Sequence, residues 1–213
     1  MVFDSSRAAE YETVIGCDEV GRGSLCGPVV VAAVWFQPTA IPPCLLEELD
    51  DSKQLTRLAR TRIASEIRRF ARFSIASSSS SLIDKKGIRA MTLHAMQRAV
   101  IHLNIEAPVR IDGLDVPPGI PWPCVAIVRG DATVPQIAAA SIVAKVMRDE
   151  LMARLSARHP GYGWERNAGY GTPEHLAAIR KLGTTVHHRM SFSPMCVSRL
   201  PFKDLILDSE SQE

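Results

Sequence analysis

The stretch Thr13-Val14-Ile15-Gly16-Cys17-Asp18-Glu19-Val20-Gly21-Arg22-Gly23-Ser24-Leu25-Cys26-Gly27, running on into Pro28-Val29-Val30-Val31-Ala32-Ala33-Val34-Trp35-Phe36, decides the fold. Residues 13–18 and 28–36 are β-branched and apolar, so both are predicted strands, joined by a glycine-rich turn. The first strand ends in two adjacent carboxylates. Holding Asp18 and Glu19 close together there is costly, because like charges repel and burial disfavours ionisation. A divalent cation removes that cost, since hard ions such as Mg²⁺ take carboxylate oxygens and keep waters for chemistry. Neighbours on a strand point to opposite faces, so the pair shares an ion only where the strand ends or bulges, which the following glycines permit. The competing reading is an exposed acid pair in a turn.

The glycines are not a dinucleotide loop. In Gly21-Arg22-Gly23-Ser24-Leu25-Cys26-Gly27 the third glycine falls one residue late for GxGxxG, and the segment leads into a strand instead of opening a helix. A glycine turn with a central arginine offers bare backbone N–H groups and a guanidinium, which suits close approach to a phosphate and sugar.

Further along, residues 56–72 carry Leu58, Ile63, Ile67 and Phe70 at helical spacing with basic residues opposite. Residues 73–77 are predicted as a third strand, the serine run 77–81 as its end and a turn, and 88–103 as a second helix. Short strands follow at 109–112 and 125–128, separated by a proline-rich loop. Thr133 and Gln136 match a capping box for a helix reaching Arg158, and Thr172-Pro173-Glu174 starts another that ends near Gly183. Adjacent strands followed by helix–strand alternation predict an α/β or α+β sheet with helices on its faces.

Bulk composition narrows the function classes. The 213 residues are 46% hydrophobic and 23% charged, as one globular domain requires. No apolar run approaches bilayer length and no signal-peptide core is present, so a cytoplasmic protein with no membrane association is expected. The five cysteines are widely spaced and include no CxxC, which argues against a disulfide framework or structural zinc and for reduced, mostly buried thiols. A net charge of +2 pulls only weakly on nucleic acid, so such a ligand needs a local patch and metal ions.

Two more acids close strands. Asp112 ends Val109-Arg110-Ile111 before Gly113, and Asp131 follows the 125–128 strand through Arg129-Gly130. Each alone reads as a turn or helix-start acid, yet three strand ends each delivering an acid is the arrangement a two-metal site requires. Asp149 competes for the fourth place because it shares a helical face with Ser141 and Lys145, although a mid-helix acid beside Arg148 is more often a surface ion pair.

Seven motifs now stand in order: Gly16-Cys17-Asp18-Glu19-Val20-Gly21-Arg22-Gly23, Asp51-Ser52-Lys53-Gln54-Leu55, Ile111-Asp112-Gly113, Gly130-Asp131-Ala132, Ala138-Ala139-Ala140-Ser141-Ile142-Val143-Ala144-Lys145, Gly169-Tyr170-Gly171-Thr172 and His187-His188-Arg189-Met190-Ser191-Phe192. Together they resemble the ribonuclease HII (type 2 ribonuclease H) family over residues 13–195. The resemblance implies an α/β, ribonuclease H-like mixed five-stranded sheet flanked by helices. It implies a catalytic unit at residues 1–155 and a C-terminal helical substrate-binding part at 156–213. It implies catalytic, metal-binding acids at Asp18, Glu19, Asp112 and Asp131, holding two Mg²⁺ or Mn²⁺ ions. Gly21, Arg22 and Gly23 would contact a ribonucleotide 2′-OH and its phosphate, and Tyr170 would lie on the next deoxyribose. Lys53, Ser141 and Lys145 would hold the phosphate backbone. The partners implied are RNA–DNA hybrids and duplex DNA carrying ribonucleotides, cut by a monomer to give 3′-OH and 5′-phosphate ends. The chain departs from the family at Ser24, where proline is common, at Asn167-Ala168, where His-Lys is common, and at Met190, where a second arginine is common.

Rival readings are the sister ribonuclease HIII, a non-catalytic hybrid-binding module and a small-molecule enzyme on the same scaffold. The dozen residues before the first strand and Arg22 argue against the first, the complete acid set against the second, the failed dinucleotide loop against the third. His187 and His188 read as polar core or helix-end residues, and Trp35, Trp122 and Trp164 as scattered packing residues. Phe202 and the 205–207 apolar run are expected to dock on the body of the protein.

Overall fold

The computed structural model describes residues 3–49 and 55–196. In chain order the elements are β1 (Ile15–Val20), β2 (Val29–Trp35), α1 (Pro43–Glu48), α2 (Arg57–Phe70), β3 (Arg72–Ser78), α3 (Ser80–Lys86), α4 (Ile88–Leu103), β4 (Val109–Asp112), β5 (Cys124–Ile127), α5 (Pro135–Arg158), α6 (Trp164–Asn167) and α7 (Pro173–Leu182). All five expected strands are present. They form one sheet in the order β3-β2-β1-β4-β5, antiparallel from β3 to β1 and parallel from β1 to β5.

Strand alternation sorts the core into two layers. Ala32 and Val34 of β2 face α5 and α2, packing with Ala138, Ile142, Val143 and Ile63. Val31 and Ala33 face the opposite way, onto α4, with Ala95, Ala99 and Val100. The alanine-rich start of α5 lets that helix lie close over β1. Burying these side chains on both faces stabilises the fold by roughly 1.5–3 kcal/mol for each large one. Among the described residues no helix is long and apolar enough to cross a membrane.

Local expectations are corrected at several points. The capping box at Thr133 does not form: Val134 is the N-cap with no side-chain bond. Gln136 instead donates from Nε2 to the carbonyls of Glu12 and Phe36, which flank β1 and β2 and need a donor. The serine run holds a helix start as well as a strand end. Ser79 accepts from the Leu82 N–H and caps α3, so no turn intervenes. The helix α1 carries no strong periodic signal and was not anticipated. Of the thiols, Cys17 and Cys26 are buried and Cys124 partly so, while Cys44 and Cys196 are exposed. Phe202 and residues 205–207 lie outside the described residues.

Candidate active site

The cleft is made where β4 stops short. Strand β1 pairs with β2 over its whole length but with β4 only at Ile15, Gly16 and Cys17. Beyond Cys17 the β4 edge of β1 is open, and Asp18 and Glu19 fall in that gap. The two still point to opposite faces. Asp18 stands opposite Ala32 on the α5 side, where Ser141 hydrogen-bonds its carboxyl. Glu19 stands opposite Val31 on the other side. Both nevertheless line the same cleft of about 510 Å³, because it opens around the strand end. Asp112 is the last residue of β4 and Asp131 sits in a single helical turn, Gly130–Ala132, just after β5. Parallel strands thus deliver their acids to one end of the sheet.

This end is electrostatically strained. Asp18 is 7% exposed, and burial, with Glu19 beside it, pushes its carboxyl up to about 8. Burial raises Glu19 as well, though the Arg22 guanidinium 3.2 Å away opposes the rise. The other carboxylate oxygen of Glu19, Oε2, is buried with no hydrogen-bond partner. Asp112 Oδ1 accepts from the Gly130 N–H at 2.7 Å, which holds the two acid-bearing loops together. Among the described residues no three His, Cys, Asp or Glu side chains are already gathered at coordinating distance. A donor set of carboxylate oxygens around an unpartnered buried oxygen fits a hard divalent cation.

All of the predicted site residues except Lys53, which lies outside the described residues, line this cleft. Asp131 lines it and Asp149 does not: Asp149 Oδ1 instead holds Lys145 Nζ at 2.7 Å. Arg60 of α2 also lines the cleft, and its place among many surface arginines gave no sequence signal. Tyr170 lines the cleft together with the Gly21–Gly23 turn.

Beneath that turn lie two arginines that sequence reasoning missed, Arg148 and Arg189, both fully buried. Arg189 donates from Nη2 to the Gly21 carbonyl and from Nη1 to the Arg22 carbonyl, each at 2.7 Å, and from Nε and Nη2 to the Gly27 carbonyl. Arg148 donates to the carbonyls of Pro28, Cys26 and Ala168 and to Ser24 Oγ. Expected beside a surface ion pair, Arg148 is instead a structural centre. Gly21 must be glycine here: its φ is +87°, and a Cβ would meet Arg148 Nε at 2.1 Å. Gly169, at φ +78°, likewise approaches the Cys26 carbonyl.

Among the histidines, His175 and His188 are core residues. His175 Nδ1 lies 2.9 Å from the Tyr170 carbonyl and so carries the proton, leaving Nε2 to accept from Trp164 Nε1. His188 is 2% exposed, and burial with neighbouring His175 lowers it to about 4. His187 stacks edge-on against His159 and Trp164. None of these histidines lines the acid cleft. Trp164 is buried, and Trp35 and Trp122 pack against the α4-side core.

Comparison with known proteins agrees with this geometry. The profile of the family described as "Ribonuclease HII" matches residues 15–195. Ribonuclease HII of Paramagnetospirillum magneticum is 49% identical over 192 residues, covering 88% of this chain and 95% of that protein. Ribonuclease HII of Rhizobium leguminosarum bv. trifolii is 51% identical over 191 residues, covering 89% and 82%. The solved PCNA:RNase HII complex of Archaeoglobus fulgidus contains a chain similar to this one at TM-score 0.72 and 27% identity, covering 85% and 95%. Bst-RNase HIII in complex with Mn²⁺ is similar at TM-score 0.68 and 21% identity, covering 89% and 70%, a likeness of fold alone.

Proposed function

The chain belongs to the ribonuclease HII family, and on that premise we propose that it cuts the RNA strand of RNA–DNA hybrids and the phosphodiester 5′ of ribonucleotides embedded in duplex DNA. Membership makes it a metal-dependent endoribonuclease and gives it the ribonuclease H-like fold. The finer reading rests on one observation: four acids, Asp18 with its carboxyl pushed up to about 8 and Glu19 raised by burial, line one cleft with a glycine–arginine turn and a tyrosine.

Asp18, Glu19, Asp112 and Asp131 would hold Mg²⁺ or Mn²⁺, two ions in the full site. Bound there, the ions would supply Lewis acidity that lowers the pKa of the attacking water and offsets charge on the leaving 3′-oxygen. The rest is done by the chain. Gly21 and Gly23 let backbone come close to the ribose, and a Cβ on Gly23 would meet nothing within 4 Å, so that face is open to a ligand. The 2′-OH is the feature that separates RNA from DNA at a given sugar, so selectivity belongs at this turn. Arg22, now paired with Glu19, gains a stronger partner in a substrate phosphate. Lys145, kept in place by Asp149, and Ser141 would meet the backbone of the cut strand, with Lys53. Tyr170 would support the adjoining deoxyribose. Residues 156–213 would serve as the substrate-binding flank of a catalytic unit at 1–155, and α6 and α7 pack with Cys26 and Met152 in a cluster of their own. The products would carry 3′-OH and 5′-phosphate ends, and the enzyme would act as a cytoplasmic monomer.

The test is cleavage of an end-labelled DNA duplex containing one ribonucleotide, beside a long RNA–DNA hybrid, with Mg²⁺, Mn²⁺ or EDTA. A metal-dependent cut just 5′ of the single ribonucleotide is expected. Cutting of the long hybrid alone would refute the embedded-ribonucleotide reading, and no cutting with either metal would leave only hybrid binding.

A further inference from the structure

We propose that Arg189 and Arg148, linked through Ser24, are positioning residues that set the enzyme's selectivity for the ribose, acting through the Gly21–Gly23 turn. The inference rests on the reading that this turn meets the ribonucleotide.

The argument begins with peptide geometry. In a planar trans peptide the C=O and the following N–H point in opposite directions. Arg189 draws the carbonyls of Gly21 and Arg22 inward, each at 2.7 Å. The N–H groups of Arg22 and Gly23 are therefore turned the other way, onto the cleft that Gly21, Arg22 and Gly23 line. Two successive outward N–H groups make a small concavity suited to an oxygen of the sugar or its phosphate. Only a forked guanidinium meets carbonyls on several sides at once, and a lysine ammonium at the same place is a point donor.

Arg148 extends the device to the segment that carries Tyr170. Its Nη1 donates to the Ala168 carbonyl, two residues before Tyr170, its Nη2 to Ser24 Oγ, and its guanidinium lies 5.6 Å from the Tyr170 ring centre. Ser24 Oγ has the Gly21 and Cys26 carbonyls at 3.0 and 3.1 Å. One network thus fixes the turn and the tyrosine relative to each other. Neither arginine is paired with a carboxylate among the described residues, and burial lowers the pKa of both. Burying a guanidinium is expensive, and a hydrophobic pair would fill the space at lower cost. What the arginines add is the fixed direction of the carbonyls above them.

The test is steady-state cleavage of two duplexes, one with a single ribonucleotide and one with its 2′-fluoro counterpart, by the wild type, Arg189→Lys and Ser24→Ala. Melting temperature and circular dichroism report folding. Arg189→Lys is expected to lower kcat/KM on the ribonucleotide by about 10- to 100-fold, as for a misplacement near 1 Å, and on the 2′-fluoro duplex by less than about threefold. Ser24→Ala should move the ratio the same way by about three- to tenfold, on the same scale of misplacement. A folded Arg189→Lys that loses activity equally on both duplexes, or on neither, overturns the proposal. Should Arg189→Lys fail to fold, Ser24→Ala decides alone, and an unchanged ratio overturns it. A wild type indifferent to the 2′-OH would instead refute the reading of the turn, and the proposal with it.

Discussion

Two regions only a few residues apart in β1 and its following turn are built on opposite principles. At Asp18 and Glu19 the protein buries carboxyl groups whose ionisation burial opposes: one stands near 8, and one oxygen has no hydrogen-bond partner. At Gly21–Gly27 nearly the reverse holds, with the carbonyls of Gly21, Arg22, Cys26 and Gly27 each met by a buried guanidinium. In the first, ionisation is costly unless a cation offsets it. The second is complete before any ligand arrives. The difference teaches how the work is divided: the chemical end stores a cost that binding relieves, and the recognising end is fixed in advance, so that little ordering is left to the moment of contact.

The contrast is broken most directly at Asp18. Replacing it by Asn should lower kcat by on the order of 10³-fold or more, while duplex affinity measured by anisotropy stays within about threefold. A fully active Asp18→Asn would remove this residue from the catalytic set.

The same variant sharpens the electrostatic side of the comparison. Without a cation, Asp18 has a folded pKa near 8 against 3.8 ordinarily. The stability conferred by its protonated form is full below about pH 4 and is lost as pH rises toward 8. Melting in EDTA at pH 5 and pH 8.5 should show a decline on the order of a few kcal/mol, much reduced in Asp18→Asn. An equal decline in the variant would show that the strain lies elsewhere.

On the recognition side, Tyr170→Ala should raise KM for the single-ribonucleotide duplex by about tenfold, the loss of one aromatic contact, with kcat changed much less. A fall confined to kcat would place the ring at the chemistry instead.

The smallest effect belongs to the histidine core under the tyrosine. His188 is held near 4 against 6.5 ordinarily, so its contribution is present above pH 6.5 and is lost as pH falls toward 4. His188→Gln should flatten that acid decline by about 1 kcal/mol in pH-dependent melting, opposite in sign to the Asp18 effect. An acid limb as steep as the wild type's would exclude His188 as its source.

Much of the site was legible because strand periodicity and acid placement are local. The β4 strand and the α4 helix have the ends read from sequence, and Asp112 closes β4 and Asp131 follows β5 as expected; Asp18 was expected to end the first strand, but β1 continues past it to Val20. Legibility failed where a polar side chain serves distant backbone. Gln136 reads as half of a capping box but is used by carbonyls 124 and 100 residues away. Arg148 reads as the neighbour of Asp149 in a surface ion pair but is 0% exposed. Arg189 sat in a quoted motif without a role, since its partners lie 162 to 168 residues earlier.

What the sequence determined by itself is the order of the five strands and the longer helices, the acids near the strand ends and the glycines that a close backbone approach demands, because each follows from short-range sterics, periodicity and charge. What only the tertiary structure decided is how Asp18 and Glu19, on opposite faces of one strand, share a cleft, and what holds the turn beside them. The first depends on where a neighbouring strand happens to stop. The second depends on the demand of buried carbonyls for donors, which is a property of the packed interior and of no segment alone.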